Sequence, residues 1–156
     1  MSARLDETWQ IRRMRRDDIA AVRGIESTAY DYPWSERIFR DCLRVGYRAW
    51  VIEPVDGPLA GYALASIAVG EAHLLNLCLA ESARGRGLGT RLLDSLVAQA
   101  RREAAAVVML EVRPSNTAAR RLYARYGFIE QGRRPGYYPG ETVREDALLL
   151  SLDITP

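Results

Sequence analysis

The sequence contains no lysine: all 22 of its basic residues are arginine. With 20 acidic residues against them, the net charge is only +2. The arginine-rich stretch 12–16 is followed at once by Asp17 and Asp18, so it is a weak indication of a nucleic-acid interface, and we expect a solvated surface there. A codon bias of the genome is one explanation for the missing lysine. We predict a protein without a direct nucleic-acid partner.

Cysteine is almost as scarce as lysine. Cys42 and Cys78 are the two cysteines, and both lie in apolar stretches without the spacing of a metal site. We expect buried thiols in a reducing compartment and no bound metal. No apolar run reaches the roughly 18 residues that a membrane span requires, and residues 1–10 lack the apolar segment of a signal peptide. These absences predict a cytoplasmic protein that does not enter a membrane.

Strands and helices alternate along the chain, and their order predicts an α/β layer with a mixed sheet. The length of 156 residues is that of a single domain, 1–156. The predicted strands cover residues 9–14, 48–53, 59–69, 71–79, 107–112, 128–132 and 146–152, and the predicted helices begin near residues 18, 35, 87 and 116. Asp17, Ser35 and either Ser115 or Asn116 are the predicted helix caps, and Gly127 is predicted to end the last helix.

A glycine-rich segment joins the fourth predicted strand to an amphipathic helix. It consists of Arg84, Gly85, Arg86, Gly87, Leu88, Gly89 and Thr90. Glycine lets the backbone come close to a ligand, and the start of a helix offers unpaired N–H groups and the positive end of the helix dipole. This combination suits a pyrophosphate. The segment lacks the Lys-Ser/Thr pair of a Walker loop, and it does not follow the first strand of a dinucleotide-binding unit.

The spacing of Arg84, Gly87 and Gly89 resembles the R/Q-x-x-G-x-G/A signature of the GNAT N-acetyltransferases, in which backbone amides hold the pyrophosphate of coenzyme A. Within this family, the sequence most resembles the RimI subfamily. Members of that subfamily acetylate the N-terminal alanine of a small-subunit ribosomal protein. The segments that resemble this subfamily are 33–35, 75–79, 110–116, 122–123, 127–128, 137–139 and 144–147. One departure is Ala80-Glu81, where the family commonly has Asp-Pro.

The resemblance implies a fold, a co-substrate and an acceptor. The expected fold is the GNAT fold, a mixed and mostly antiparallel sheet of about six to seven strands flanked by about four helices. Acetyl-CoA is the implied co-substrate, and the N-terminus of a ribosomal protein is the implied acceptor. We expect a monomer. The missing lysine then has a second explanation, since an acetyl-transfer enzyme without lysine offers no side-chain amine to its own reaction.

Glu111 and Tyr123 are the candidate catalytic residues. Glu111 interrupts an apolar strand, where a carboxylate is unfavourable unless it has a partner or a task. It is the candidate general base, acting through a water, and the alternatives are a solvent-facing edge or an ion pair with an arginine. Tyr123 is the candidate acid for the departing thiolate, against the alternative of a packing tyrosine. It shares a predicted helix face with Asn116 and Arg120. The resemblance assigns the same two roles and implies that Asn116 contacts coenzyme A.

Other site residues follow from the resemblance alone. Backbone amides around Leu77, Cys78 and Leu79 are expected to stabilise the oxyanion, in a strand that splays from its neighbour to admit the thioester. The candidate acceptor-binding residues are Trp34, Tyr137 and Tyr138.

The single histidine, His73, is predicted to be a surface or hydrogen-bonded residue. It lies five residues from Cys78 in a strand and faces the opposite side, so Cys78 is not predicted to be a nucleophile.

Two alternatives stay open. In the first alternative, the fold is the same but the acceptor is a small-molecule amine such as a polyamine or an antibiotic. Pockets that bind a polycation usually contain several carboxylates, whereas the segment 133–144 is rich in arginine and tyrosine. In the other alternative the chain is a non-catalytic module that binds acyl-CoA or docks on the ribosome. Such a module would need neither Glu111 nor Tyr123.

Overall fold

A computed structural model of the chain describes residues 8–156. The segment on which the export prediction rests lies outside the described residues, except for residues 8–10. The strands are β1 Trp9–Arg13, β2 Arg48–Pro54, β3 Gly61–Ala68, β4 Glu71–Leu79, β5 Val107–Val112, β6 Ile129–Tyr138 and β7 Glu145–Asp153. The α-helices are α1 Ile19–Ala29, α2 Glu36–Arg44, α3 Leu88–Arg102 and α4 Thr117–Tyr126.

The strands form a seven-stranded mixed sheet in the order β1-β2-β3-β4-β5-β7-β6. The predicted α/β class is thereby confirmed. Two compact units divide the chain, one made of Met1–Ala65 with Asn76–Leu96 and the other of Ser66–Leu75 with Val97–Pro156. We describe each unit separately.

The first unit pairs β1 with β2 and β2 with β3, both antiparallel. Apolar side chains of the strands meet those of α1 and α2 in one core, in which Val22, Phe39, Val51, Tyr62 and Leu64 are fully buried. Burial of an apolar side chain of this size contributes roughly 1.5–3 kcal/mol. Because the apolar positions of α1 and α2 recur at helical spacing, the sequence itself directs these helices onto the sheet.

The second unit pairs β4 with β5 in parallel and β7 with both β5 and β6 in antiparallel orientation. The ladder of β4 and β5 joins residues 71–74 to residues 107–110, and it ends at Leu74 and Leu110. Alternate residues of β5 are buried, namely Val108, Leu110 and Val112. Glu111 therefore lies on the less buried face of β5, since successive side chains of a strand point to opposite sides.

The helix caps follow the sequence in three of four places. Ser35 accepts a hydrogen bond from the backbone N–H of Ile38, and Gly127 ends α4 with a φ of 119°. Asn116, one of the two alternatives, caps α4. The prediction for Asp17 is wrong. A 3₁₀ turn over Arg16–Asp18 precedes α1, and Asp18 instead accepts the Arg15 N–H at 2.7 Å.

The segment 133–144 is not wholly a loop, because β6 continues through Tyr138. The pairing of β6 with β7 shifts register between Glu130 and Gly132 and again between Arg134 and Tyr138. Pro135 lies inside the second shift, where its missing N–H removes no regular ladder hydrogen bond. β6 therefore continues beyond Pro135 to Tyr137 and Tyr138, although proline in the sequence favours a loop there.

The prediction that both cysteines are buried thiols is confirmed, since Cys42 and Cys78 are buried and free. Burial raises the pKa of each thiol. Within residues 8–156, no helix is long and apolar enough to cross a membrane. The same residues contain no cluster of three or more His, Cys, Asp or Glu side chains arranged for a metal ion.

Candidate active site

The glycine-rich segment of the first unit adopts a backbone that requires glycine at two positions. Gly85 and Gly87 have φ values of 76° and 77°. An added Cβ at either residue would meet nothing within 4 Å, so the left-handed backbone and not crowding selects glycine there. Leu88 follows, 2% exposed, and begins α3. The segment thus places an exposed turn directly before the N-terminus of a long helix.

This turn fits a diphosphate group. Residues 84–87 are exposed, and the first-turn amides of a helix have no acceptor within the helix. The positive end of the α3 dipole and the guanidinium groups of Arg84 and Arg86 add favourable charge. Arg84 also donates from Nε to the carbonyl oxygen of Leu79 at 3.4 Å, which connects the turn to the end of β4. The assignment of this segment to coenzyme A stays a prediction.

The last residues of β4 were predicted to lie near the thioester. The carbonyl oxygen of Leu77 accepts a hydrogen bond from the Tyr30 hydroxyl at 3.1 Å. Cys78 is 5% exposed, and burial is the largest of the effects that raise its thiol pKa. A protonated, buried thiol is a poor nucleophile. This supports the prediction that Cys78 forms no acetyl-enzyme.

A buried carboxylate, Glu26, organises the polar interior of the first unit. It is 2% exposed, and Oε1 accepts hydrogen bonds from the Tyr62 hydroxyl at 2.5 Å and from Asn76 Nδ2 at 2.8 Å. Oε2 accepts the backbone N–H of Trp34 at 3.0 Å. Three neutral donors therefore surround this carboxylate. They join α1 to β3, to β4 and to the turn before α2.

Glu111, in the second unit, has a different set of neighbours. Its side chain is 16% exposed, and Oε2 lies 2.5 Å from Nε2 of His73. Oε1 lies 4.0 Å from Nη2 of Arg134. The ion pair with an arginine, one of the alternatives for Glu111, is therefore a long one, and the closer partner is His73. The expectation of a hydrogen-bonded histidine is correct, but its partner was not foreseen.

Tyr123 is the one buried residue of α4, at 6% exposure. Its ring packs edge-on against Phe128 with centroids 5.6 Å apart. Ala119, Leu122 and Tyr126, on the adjacent face of α4, are half-buried. The site role of Tyr123 stays a prediction, and its burial is equally compatible with packing.

Asn116 and Arg120, predicted to share the face of Tyr123, are both engaged near the start of α4. The Asn116 side-chain oxygen caps the helix by accepting the Ala119 N–H at 3.2 Å. Arg120 is exposed and donates to the carbonyl oxygen of Pro114 at 3.0 Å. If Asn116 contacts coenzyme A, its amide NH₂ is the group that remains for this contact.

The two candidate acceptor-binding tyrosines stack edge-on at the end of β6. The ring centroids of Tyr137 and Tyr138 are 4.9 Å apart. The Arg134 guanidinium lies 4.9 Å from the Tyr137 ring, and that of Arg113 lies 4.4 Å from the Tyr138 ring. Burial, followed by the charge of Glu111, raises the pKa of Tyr138 to about 12. Tyr138 is therefore an uncharged phenol near Glu111 at neutral pH.

Arg113 and Glu145 hold the base of the β6–β7 hairpin. Arg113 Nη1 donates to Glu145 Oε1 at 3.1 Å and to the carbonyl oxygen of Pro139 at 3.0 Å. Burial acts to raise the pKa of Glu145, but hydrogen bonds from Ser115 and Arg113 outweigh it and lower the pKa. The hairpin is therefore fixed to the end of β5 by a charged pair.

Trp34, the third candidate acceptor-binding residue, lies in the first unit. Its ring packs against Phe39 with centroids 5.3 Å apart, and its backbone N–H donates a hydrogen bond to Glu26 Oε2. The turn that carries Trp34 is thus held from both its side chain and its backbone.

Sequence reasoning missed Glu26 and the contact of His73. Glu26 follows Val22 by four residues, so a carboxylate on the buried face of α1 was a readable signal. No comparable local signal exists for His73, because its partner is brought in by the pairing of two strands. Arg113 lies in the segment 110–116, for which the sequence indicated no role of this residue. In the structure it binds Glu145 and Pro139 at the base of the β6–β7 hairpin.

The comparison with known families is decisive for the class of protein. The Acetyltransferase (GNAT) family model matches residues 10–128. The chain belongs to the GNAT acetyltransferase family. GNAT proteins use acetyl-CoA, and this chain is accordingly an acyltransferase.

Individual GNAT relatives are similar over almost their whole length. The chain is 35% identical over 138 residues to the ribosomal protein bS18-alanine N-acetyltransferase of Escherichia coli, which covers 88% of this chain and 93% of the relative. The crystal structure of the ribosomal-protein-S18-alanine N-acetyltransferase from Escherichia coli matches with a TM-score of 0.86 at 33% identity, covering 95% of each chain. The structure of Ard1 from Thermoplasma volcanium matches with the same TM-score of 0.86 at 26% identity, covering 96% of this chain and 99% of that one.

Proposed function

We propose that this GNAT chain transfers the acetyl group of acetyl-CoA to an N-terminal α-amine, that of an alanine at the start of a small-subunit ribosomal protein. The observation that carries the proposal is the partly exposed carboxylate of Glu111 on β5, which contacts a histidine through one oxygen and lies near an uncharged tyrosine. The similarity to bS18-alanine N-acetyltransferases supports the acceptor. We further propose that residues 1–156 act as one domain, as a monomer in the cytoplasm.

An N-terminal amine suits a site with one weak base. An α-ammonium group has a pKa near 8 and a lysine ammonium near 10.4, so neutralising the former at pH 7 requires roughly 3 kcal/mol less. The carboxylate of Glu111 accepts one proton from the ammonium, through a water. The freed lone pair then attacks the thioester carbonyl carbon.

Four groups of this chain complete the proposed reaction. Backbone amides of residues 77–79 stabilise the oxyanion, and the segment 84–90 holds the diphosphate of the co-substrate. The Tyr123 hydroxyl donates its proton to the sulfur as the C–S bond breaks, and the phenolate regains a proton, through water, from the nitrogen that has been acetylated. Free thiol and the acetylated amine remain, and Tyr123 is neutral again. Trp34, Tyr137 and Tyr138 orient the acceptor peptide.

A polycationic small molecule fits this chain less well than a peptide. The segment that carries Tyr137 and Tyr138 also carries Arg133, Arg134 and Arg144, and positive charge there repels a polyamine. The proposal is tested by release of free coenzyme A with three acceptor classes. These are peptides with a free N-terminal alanine, peptides with a blocked N-terminus and one lysine, and polyamines.

We expect the free N-terminal alanine peptide to exceed the other two acceptors at least about 10-fold in kcat/KM. A matched peptide beginning with acetyl-alanine is the control for the α-amine. Faster turnover of lysine peptides or of polyamines would overturn the proposed acceptor while leaving the acyltransferase class intact.

A further inference from the structure

The chain has one histidine, and that histidine contacts the candidate base. His73 lies on β4 and pairs in register with Met109 of β5. Glu111 is two residues beyond Met109, so its side chain points to the same face as that of Met109 and lies diagonal to His73. This strand pairing produces the separation of 2.5 Å between His73 Nε2 and Glu111 Oε2.

Three groups of the second unit compete for Glu111. His73 is on Oε2, while Arg134 approaches Oε1 to 4.0 Å without closing a hydrogen bond. Tyr138 is near enough for the Glu111 charge to help raise its pKa to about 12, after the larger effect of burial. Arginine stays protonated and this tyrosine stays neutral near pH 7, so neither removes a proton from an ammonium group.

A carboxylate can turn about its last side-chain torsion, which is a soft one. With His73 on Oε2, Glu111 is held in one orientation and Oε1 keeps its lone pairs for another proton. Without His73, the same carboxylate is free to turn toward Arg134 and form a close ion pair. A close arginine stabilises the charged carboxylate and makes it a weaker base.

We propose that His73 is a positioning residue, which donates its Nε2–H to Glu111 Oε2 and so reserves Oε1 as the proton-accepting atom. This inference rests on the proposed function of Glu111. The proton from the acceptor ammonium goes to Oε1, the amine lone pair is released, and His73 itself gains and loses no proton. His73 also keeps Glu111 from pairing closely with Arg134.

Two substitutions of similar polarity test the position of the donor. In His73→Gln the amide nitrogen reaches the place of Nε2, whereas in His73→Asn it reaches only the place of Nδ1. We expect His73→Gln to keep kcat within about 3-fold of the wild type and His73→Asn to lose roughly 10- to 100-fold, with little change in KM for acetyl-CoA. Equal loss in both variants would overturn the inference.

The competition with Arg134 gives a second kinetic test. His73→Leu removes the donor, and we expect a loss of kcat similar to that of His73→Asn. Adding Arg134→Gln to His73→Leu removes the competing cation and should recover about 3- to 10-fold in kcat. If the double variant is as slow as the product of the two single losses predicts, Arg134 does not compete and the inference is wrong in this respect.

A spectroscopic readout separates this inference from the proposed function. Because His73 is the one histidine of the chain, ¹⁵N-histidine labelling gives one imidazole to follow by NMR. In the wild type we expect an Nε2-bound proton that exchanges slowly with water, and in Glu111→Ala its loss to fast exchange. A slowly exchanging proton in a chain that acetylates no amine would sink the proposed function alone, whereas fast exchange in an active wild type would sink the positioning role.

Discussion

Glu26 and Glu111 are both carboxylates that lie next to buried apolar positions of their own elements, α1 and β5, yet their surroundings differ. Glu26 is 2% exposed and accepts hydrogen bonds from three neutral donors in the first unit. Glu111, with a side chain 16% exposed, has a histidine on one oxygen and a distant arginine near the other in the second unit. The first carboxylate is fully occupied by the fold, and the second retains an oxygen with room to react.

The difference separates a residue that holds the structure from one suited to chemistry. Hydrogen bonds from neutral donors stabilise a buried carboxylate only while all of them are present. A carboxylate that exchanges protons needs a less saturated shell. Substitutions at these two sites should therefore affect different quantities, stability at Glu26 and turnover at Glu111.

The largest effect is expected at the partner of Glu111 in the proposed reaction. Tyr123→Phe keeps the ring and its packing but removes the transferable proton. We expect turnover to fall about 10²- to 10⁴-fold, and stability by about 1 kcal/mol or less. Tyr126→Phe on the same helix is the matched control. Steady-state kinetics and urea unfolding check both, and near wild-type turnover in Tyr123→Phe would leave Tyr123 as a packing residue.

Glu111→Gln should lower turnover by about 10²-fold at neutral pH with little change in affinity for coenzyme A. The deficit should shrink as pH rises, because the acceptor amine then loses its proton unaided. Exposed Glu130, which lies 3.9 Å from Arg133, offers Glu130→Gln as a control. Rates measured between pH 6 and pH 10 decide the matter, and a pH-independent deficit indicates positioning in place of proton transfer.

Gly87→Asp adds a side chain and a negative charge at the proposed diphosphate site. We expect binding of coenzyme A to weaken about 10-fold or more, measured by calorimetric titration. Gly46→Asp is matched, since Gly46 has a φ of 88° and open space around its Cβ position as well. Equal affinities in the two variants would remove the diphosphate assignment.

Glu26→Gln should lower the free energy of unfolding by about 2–4 kcal/mol, because the amide cannot accept from all three donors. The kcat of the folded fraction should change far less than in Glu111→Gln. Tyr62→Phe removes one of the three donors and should show a part of the same loss. Urea unfolding measures the stability of both variants, and steady-state kinetics measure their kcat. A large loss of kcat in Glu26→Gln without a loss of stability would contradict the structural role assigned to Glu26.

The smallest effect concerns acid pH and the first unit. Arg12 binds Asp18 and Glu53, each at 2.8 Å, and these hydrogen bonds are the largest cause that lowers the pKa of both carboxyls. A lowered folded-state pKa contributes stability above the unfolded pKa of about 4, and the contribution is lost as pH falls through the folded value.

Arg12→Met should therefore lose about 1–2 kcal/mol of stability at pH 7 and less at pH 3. The raised pKa of Arg12 itself matters only in strong alkali, where the guanidinium group would lose its proton. Unfolding free energies at the two pH values check this. A loss that is the same at pH 3 and pH 7 would mean that packing of the arginine stem, not its charge, stabilises the unit.

Local signals in the sequence predicted most of the fold. The apolar spacing of Leu88, Leu92 and Leu96 gave α3, and all three side chains are buried. The glycine-rich segment before α3 was identified because glycine and helix starts have local signatures. The first helix cap was misplaced, since Asp17 and Asp18 are equally good caps by composition.

The candidate site was less predictable because its contacts are long-range. The contact of His73 with Glu111 depends on the parallel register of β4 and β5, which no local pattern specifies. Likewise β6 passes through Pro135 because a register shift accommodates it, and a shift depends on the partner strand. Sequence alone thus named Glu111 and could not name the residue beside it.

The closed base of the β6–β7 hairpin has a consequence for redesign. Arg144 donates to the carbonyl oxygens of Gly136 and Tyr137 at 2.7 and 2.9 Å, while Arg113 binds Pro139. The tip, residues 141–143, lies outside these hydrogen bonds and is exposed to solvent. Insertions or exchanges at the tip should therefore be tolerated, which makes it a practical place to graft new recognition loops onto an otherwise unaltered enzyme.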